Sequence, residues 1–299
     1  MRQSLINLID KTIVFKYDLP NSGVGILKTI FSTENDQCYS ANDKTDLAEI
    51  IYNSIIEYSF NEFDITGKDY QNLHTIALMN KLKYNPDADE DAKIKYGFFG
   101  EVVLFSILMV MFKAKPLIAR GYFYNPLENA ETKGYDSYQL IENNGTTELW
   151  FGEVKFYINH KQGIKKVMDN IEKALSDSYL ERNVVAIHNH KKNLNISGST
   201  IETILNEWEK NPTVKIIDEI KKHKIKLVYP ILLLYEEDDS GYDSNIKKIP
   251  EHILSEYAAK TFSLSIDYSI FFILLPVEKV KEIKLSVIQW IESKKLPMS

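Results

Sequence analysis

The 299 residues contain one cysteine, Cys38, which excludes a disulfide framework or a cysteine zinc cluster within the chain and fits a reducing compartment. Long hydrophobic runs are also missing. The longest, residues 102–112, is too short to span a bilayer and is interrupted by Ser106. The first ten residues carry polar and charged side chains where a signal peptide needs an apolar stretch, so we expect a cytoplasmic protein without membrane association. A glycine-rich phosphate loop of the Walker type is absent, which argues against ATP hydrolysis by this chain. Positive charge is in deficit, at a formal net −6. Phosphate binding would therefore rest on a local basic surface, or on a partner that brings the nucleic acid.

What is there suits a globular protein. Hydrophobic residues make up 44% and charged residues 26%, enough for a substantial core in one large domain or two modest ones. Residues 12–19 read as a strand, followed by the turn Pro20-Asn21-Ser22-Gly23. Residues 46–59 and 69–82 carry apolar side chains at helical spacing. The polar, acid-rich stretch 84–92 is the candidate boundary between an N-terminal α/β extension, residues 1–85, and a main unit, residues 86–299. In the second part we expect an apolar helix over 94–112, ended by Lys115-Pro116, and strands over 117–124, 135–141 and 149–157. Helices follow over 161–176, 179–190 and 200–210, then a strand over 225–235, a helix near 250–260, a strand over 268–275 and a helix over 277–295. The class is α/β or α+β, a mixed central sheet flanked by helices.

Asn144-Gly145 between two β-rich runs is a strong signal for a two-residue hairpin. With those two residues as the loop, Asp136 falls opposite Glu153, with Cβ atoms about 5 Å apart, where like charges repel; a longer loop within the polar stretch 142–147 is the alternative register. Alternation puts Glu153 and Lys155 on one face and Val154 on the other. Two facing acids in a partly dry place need a shared proton or a cation. Mg²⁺ takes carboxylate oxygens, water and phosphate together and fits this pattern, with Mn²⁺ as the alternative ion. The string Glu-x-Lys alone carries little, since it recurs at Glu131, Glu219, Glu282 and Glu292. A structural ion pair between Glu153 and Lys155 is the simpler alternative.

Glu101 is the second anomaly. It belongs by helical spacing to the stripe Ile94, Phe98, Phe105, Leu108 and Phe112, which should face the core. An ionised carboxylate there is costly unless it is paired, protonated or bound to a cation. Pairing with an arginine such as Arg120 is the structural alternative.

Taken in order, Gly100-Glu101 on an apolar helix, Gly134-Tyr135-Asp136 at a strand start and Gly152-Glu153-Val154-Lys155 resemble the core of the PD-(D/E)XK nuclease superfamily. More narrowly, "TKGYDSY", "LWFGEVKFY", "YPILLLYEED" and "IFFILLPVEKVKEI" resemble the HamA family, the nuclease subunits of Hachiman antiphage defence systems. The resemblance covers roughly the last two thirds of the chain and implies a restriction-endonuclease-like core over residues 86–299. It implies DNA as substrate, Mg²⁺ dependence, and a HamB-like helicase subunit as partner in an antiviral complex, for which residues 1–85 are the candidate docking region. Catalytic residues would be Glu101, Asp136, Glu153 and Lys155. The metal would be held by Asp136, Glu153 and the carbonyl of Val154, with Glu101 reaching it through water. Tyr135 stands where the superfamily motif has proline. A non-catalytic adaptor with a nuclease fold, binding DNA or the helicase, is the alternative function. A hydrolase of another substrate is a third.

Other signals are weaker. Lys161, Gln162, Lys165 and Lys166 follow the Glu-x-Lys strand and are candidate DNA contacts; an exposed helix face explains them equally well. Lys221, Lys222, Lys224 and Lys226 form a second basic cluster. His188-Asn189-His190 reads as a solvated helix end, and residues 236–239 as an acidic loop lacking calcium-loop spacing.

Overall fold

The computed structural model describes residues 1–30, 36–120, 124–125, 130–131, 134–143, 146–189, 192, 194, 196–211 and 215–298. The N-terminal third comprises α1 (Gln3–Thr12), β1 (Ile13–Leu19), β2 (Asp36–Ala41), α2 (Lys44–Ser59), α3 (Glu62–Ile65) and α4 (Tyr70–Ile76). Then come α5 (Glu90–Lys93), α6 (Phe98–Val110), β3 (Lys115–Pro116), the short strands β4 (Tyr124–Asn125) and β5 (Ala130–Glu131), β6 (Ser137–Asn143) and β7 (Thr146–Tyr157). The last part holds α7 (His160–Ala174), α8 (Asp177–Asn189), α9 (Thr200–Lys210), α10 (Ile216–Lys222), β8 (Lys226–Glu236), α11 (Tyr242–Tyr257), β9 (Tyr268–Val277) and α12 (Val280–Glu292). No described helix is long and apolar enough to cross a membrane.

Seven strands form one mixed sheet in the order β1-β2-β9-β8-β7-β6-β3. The pairs β2–β9, β9–β8 and β8–β7 are parallel, and the others antiparallel. The parallel centre explains why β8 is apolar without alternation: Leu227 to Tyr235 are all buried because both faces are covered. One face, with Leu149, Phe151, Tyr229, Ile231 and Phe272, packs on residues of α7–α11. The other, with Trp150, Val154, Phe156, Leu232 and Ile273, packs on residues of α1, α2, α6 and α12. Residues 1–85 thus give two strands to this sheet and helices to its second core.

α6 is buried on nearly every side, between α2 and β7. Gly100 permits the approach to β7: a Cβ there would lie 3.1 Å from Val154 Cγ2 and 3.3 Å from Phe156 Cβ.

Several expectations need correction. Of the strand expected over 117–124, residues 117–120 are not in a strand, and only Tyr124 is, in β4. After β3, Leu117 N–H donates to Tyr138 O at 2.9 Å, and then Asn61 Oδ1 draws the chain away by accepting from Ala119 N–H at 3.0 Å. Ile118 and Ala119 are buried without pairing to a strand. Residues 121–123 lie outside the described residues. The helix expected over 94–112 begins at Phe98, with α5 as a separate turn capped by Asp89. Pro250, read as a helix start, lies inside α11. β2 was not expected. Its Asp36 is fully buried and accepts from Ile30 N–H and Phe272 N–H, each at 2.7 Å.

Candidate functional site

The β6–β7 ribbon sets the site. Its register runs from Ser137↔Gly152 to Asn143↔Thr146, the pairing expected from Asn144-Gly145, although those two residues themselves lie outside the described set. The ladder stops one residue short of Asp136. Asp136 N–H still donates to Gly152 O at 2.9 Å, but the residue sits in a bend before β6 rather than in a strand opposite Glu153. Its carboxylate accepts from Val154 N–H at 2.9 Å. Tyr135 anchors the bend: its ring stacks on Phe151 with centroids 4.5 Å apart, its N–H donates to Tyr138 Oη, and its hydroxyl donates to Ala174 O. An aromatic anchor therefore occupies the position of the motif's proline.

Glu153 and Lys155 share one face of β7, and Val154 points into the core against α6, as alternation requires. Lys155 Nζ bonds Glu153 Oε1 and donates to Val154 O at 3.0 Å, so the structural ion pair envisaged from sequence is present. Asn170 Nδ2, from α7, donates to the same Glu153 oxygen at 2.6 Å. Even with these donors, burial and then the charge of Asp136 push the Glu153 carboxyl up to about 7. Burial pulls the Lys155 ammonium down, but Glu153 and Asp136 outweigh it and raise its pKa. Within this trio two acids outnumber one lysine, a local crowding that hard-cation binding relieves.

Glu101 lies in the first turn of α6, where the helix dipole favours a carboxylate. Tyr58 hydroxyl donates to it, and Arg120 Nε lies 3.8 Å from Oε2. The arginine pairing considered from sequence is thus also present. Glu101, Asp136 and Glu153 do not all bring ligand oxygens within 4.8 Å of one another; among the described residues Glu207, Glu219 and His223 do. In that second cluster Lys222 Nζ already bonds Glu207 at 2.6 Å and Glu219 at 3.1 Å, which accounts for the proximity of the acids.

Two cavities meet at Glu101 and Asp136. One, of about 340 Å³, adds Glu153, Arg120, Asn170, Lys173 and Tyr179. The other, of about 600 Å³, adds Lys155, Gln162, Lys166, Lys281 and Lys284. α7 is capped by Asn159, whose Oδ1 accepts from Lys161 N–H at 2.9 Å. Of the expected DNA contacts, Gln162 and Lys166 line the larger cavity, while Lys161 and Lys165 are exposed and line neither. Asn170 and Lys173 were missed. Their positions four and seven residues after Lys166 put them on its helix face, a signal available from spacing alone. Lys281 and Lys284, from α12, were also missed. The second basic cluster is partly engaged elsewhere, by Ser265, Glu207, Glu219 and Glu148. His188 packs against Trp208, and His190 lies outside the described residues.

No curated protein and no solved structure matches the chain. The HamA family model matches residues 6–291, further toward the N-terminus than the motifs that carried the resemblance. That match spans nearly the whole sequence, including β1, β2 and α2 as well as the ribbon: the chain belongs to the HamA family, a component of the Hachiman defence system.

Proposed function

We propose that the protein is a Mg²⁺-dependent deoxyribonuclease, the effector of a helicase–nuclease antiviral complex in the cytoplasm. The observation that carries this is the crowding of two part-buried carboxyl groups, Asp136 and Glu153, beside Lys155 at the junction of two cavities. The donor set fits a hard divalent ion: Asp136 and Glu153 with the Val154 carbonyl would hold it, and Glu101 stands beside them. A bound Mg²⁺, or Mn²⁺, would polarise the scissile phosphate and lower the pKa of water.

The remaining chemistry belongs to the chain. Lys155, fixed by Glu153 and the Val154 carbonyl, is placed to stabilise negative charge developing on phosphate oxygens. Asn170 orients Glu153. Gln162 and Lys166 face the cavity where the substrate backbone would lie. For the helicase partner, exposed Phe63, Ile76 and Met79 support residues 1–85 as the docking region.

The Lys155–Glu153 ion pair is also what a non-catalytic adaptor would retain. Plasmid cleavage separates the readings, using protein alone and with its helicase, in Mg²⁺ and in EDTA. Mg²⁺-dependent cutting that disappears in Asp136→Ala is the expected result. Absence of cutting in every combination favours the adaptor.

A further inference from the structure

Lys284 on α12 is an unusual lysine. It lines the larger cavity together with Asp136 and Lys155, yet it comes from the last helix of the chain. Its ammonium donates to Ile94 O at 3.2 Å and to Phe156 O at 3.1 Å, and lies 4.8 Å from the centre of the Phe156 ring. An ammonium has three protons, so two carbonyls leave one donor over. Among the described residues Lys284 makes no ion pair, whereas Lys155 is taken by Glu153, Lys281 lies 3.5 Å from Glu90, and Lys166 donates to Tyr157 hydroxyl. Burial alone lowers its pKa, to about 8, and no carboxylate opposes that. A half-buried cation without an ion-pair partner, facing a cavity, is stabilised by an arriving anion.

We propose that Lys284, backed by Lys281, is a phosphate contact on the wall opposite α7, so that a nucleic-acid strand passes between α7 and α12 before reaching Asp136. The choice of nucleic acid as the ligand rests on the nuclease reading above. The carbonyls of Ile94 and Phe156 preset the ammonium in the cavity, so little side-chain freedom is lost on contact. Lys166 and Gln162 face it from α7.

The test is binding of a fluorescein-labelled single-stranded DNA oligonucleotide, and of its duplex, to the full chain in EDTA over a series of salt concentrations. One lost phosphate contact flattens the plot of log affinity against log salt by about 0.7 for the single strand or about 0.9 for the duplex. Lys284→Gln, which removes the charge and keeps an amide donor, should show that flattening and bind severalfold more weakly. Lys284→Arg should restore the slope. A purely structural role would lower the Tm of Lys284→Gln and leave the slope at the wild-type value, and that result overturns the proposal. Wild-type protein that fails to bind either DNA at low salt overturns it too. Cleavage in Mg²⁺ is measured on the same preparations: a lysine-dependent slope without cleavage sinks the nuclease reading and spares this one, and cleavage with an unchanged slope does the reverse.

Discussion

The tripeptide Glu-x-Lys occurs on β7 as Glu153-Val154-Lys155 and on α12 as Glu282-Ile283-Lys284, and the two copies do different things. On the strand, two residues apart means the same face, so Glu153 and Lys155 bond each other beside Asp136. On the helix, two residues apart means about 200° of rotation, so the pair is split. Glu282 turns outward to Lys44, and Lys284 turns inward to backbone carbonyls and the cavity. Glu219 and Lys221 on α10 are split in the same way, toward Lys222 and Ser265. What a short motif means is set by the period of the element that carries it.

The sharpest break of that comparison is at the strand copy. Lys155→Ala or Asp136→Ala should lower Mg²⁺-dependent cleavage by roughly 100-fold or more, the scale of losing one preorganised charge partner, with the circular dichroism spectrum unchanged. Asn170→Ala should cost about 10-fold in cleavage, since an outer partner orients the ligand without touching substrate.

A smaller effect is expected in stability. The Glu153 pKa is raised from 4.5 to about 7, so the folded state favours its neutral form. That contribution is fully present below the unfolded value and is lost as pH rises through about 7. In EDTA, Tm should fall over that range, Mg²⁺ should restore it most at the alkaline end, and Glu153→Gln should flatten the dependence. Smallest of all is the helix copy: Glu282→Ala removes an exposed pair with Lys44 and should alter neither Tm nor cleavage measurably.

How much was legible follows the same logic. The ribbon register was readable because Asn-Gly fixes a two-residue loop, and with it the shared face of Glu153 and Lys155. The bend at Asp136 was not, because it depends on the Tyr138 hydroxyl and on the stacking of Tyr135 upon Phe151. Glu101 stood out as an acid in an apolar helix, but its contact with Tyr58 joins residues 43 apart in sequence. β2 was hidden by its polar composition, which a buried Asp36 serving two backbone donors makes workable. Lys284 was hidden inside a recurrence of Glu-x-Lys that carries little by itself, because its inward turn to Ile94 O and Phe156 O shows only in the folded chain, with α12 packed on α2.

Asp136 and Glu153, which repel each other across the end of the ribbon, are proposed to hold a divalent ion together. Calorimetric titration of the metal-free chain with Mn²⁺ tests that proposal most directly. Mn²⁺ should bind the wild-type chain, and binding should weaken at least about tenfold in both Asp136→Asn and Glu153→Gln. Equal affinity in wild type and in both folded variants would contradict it.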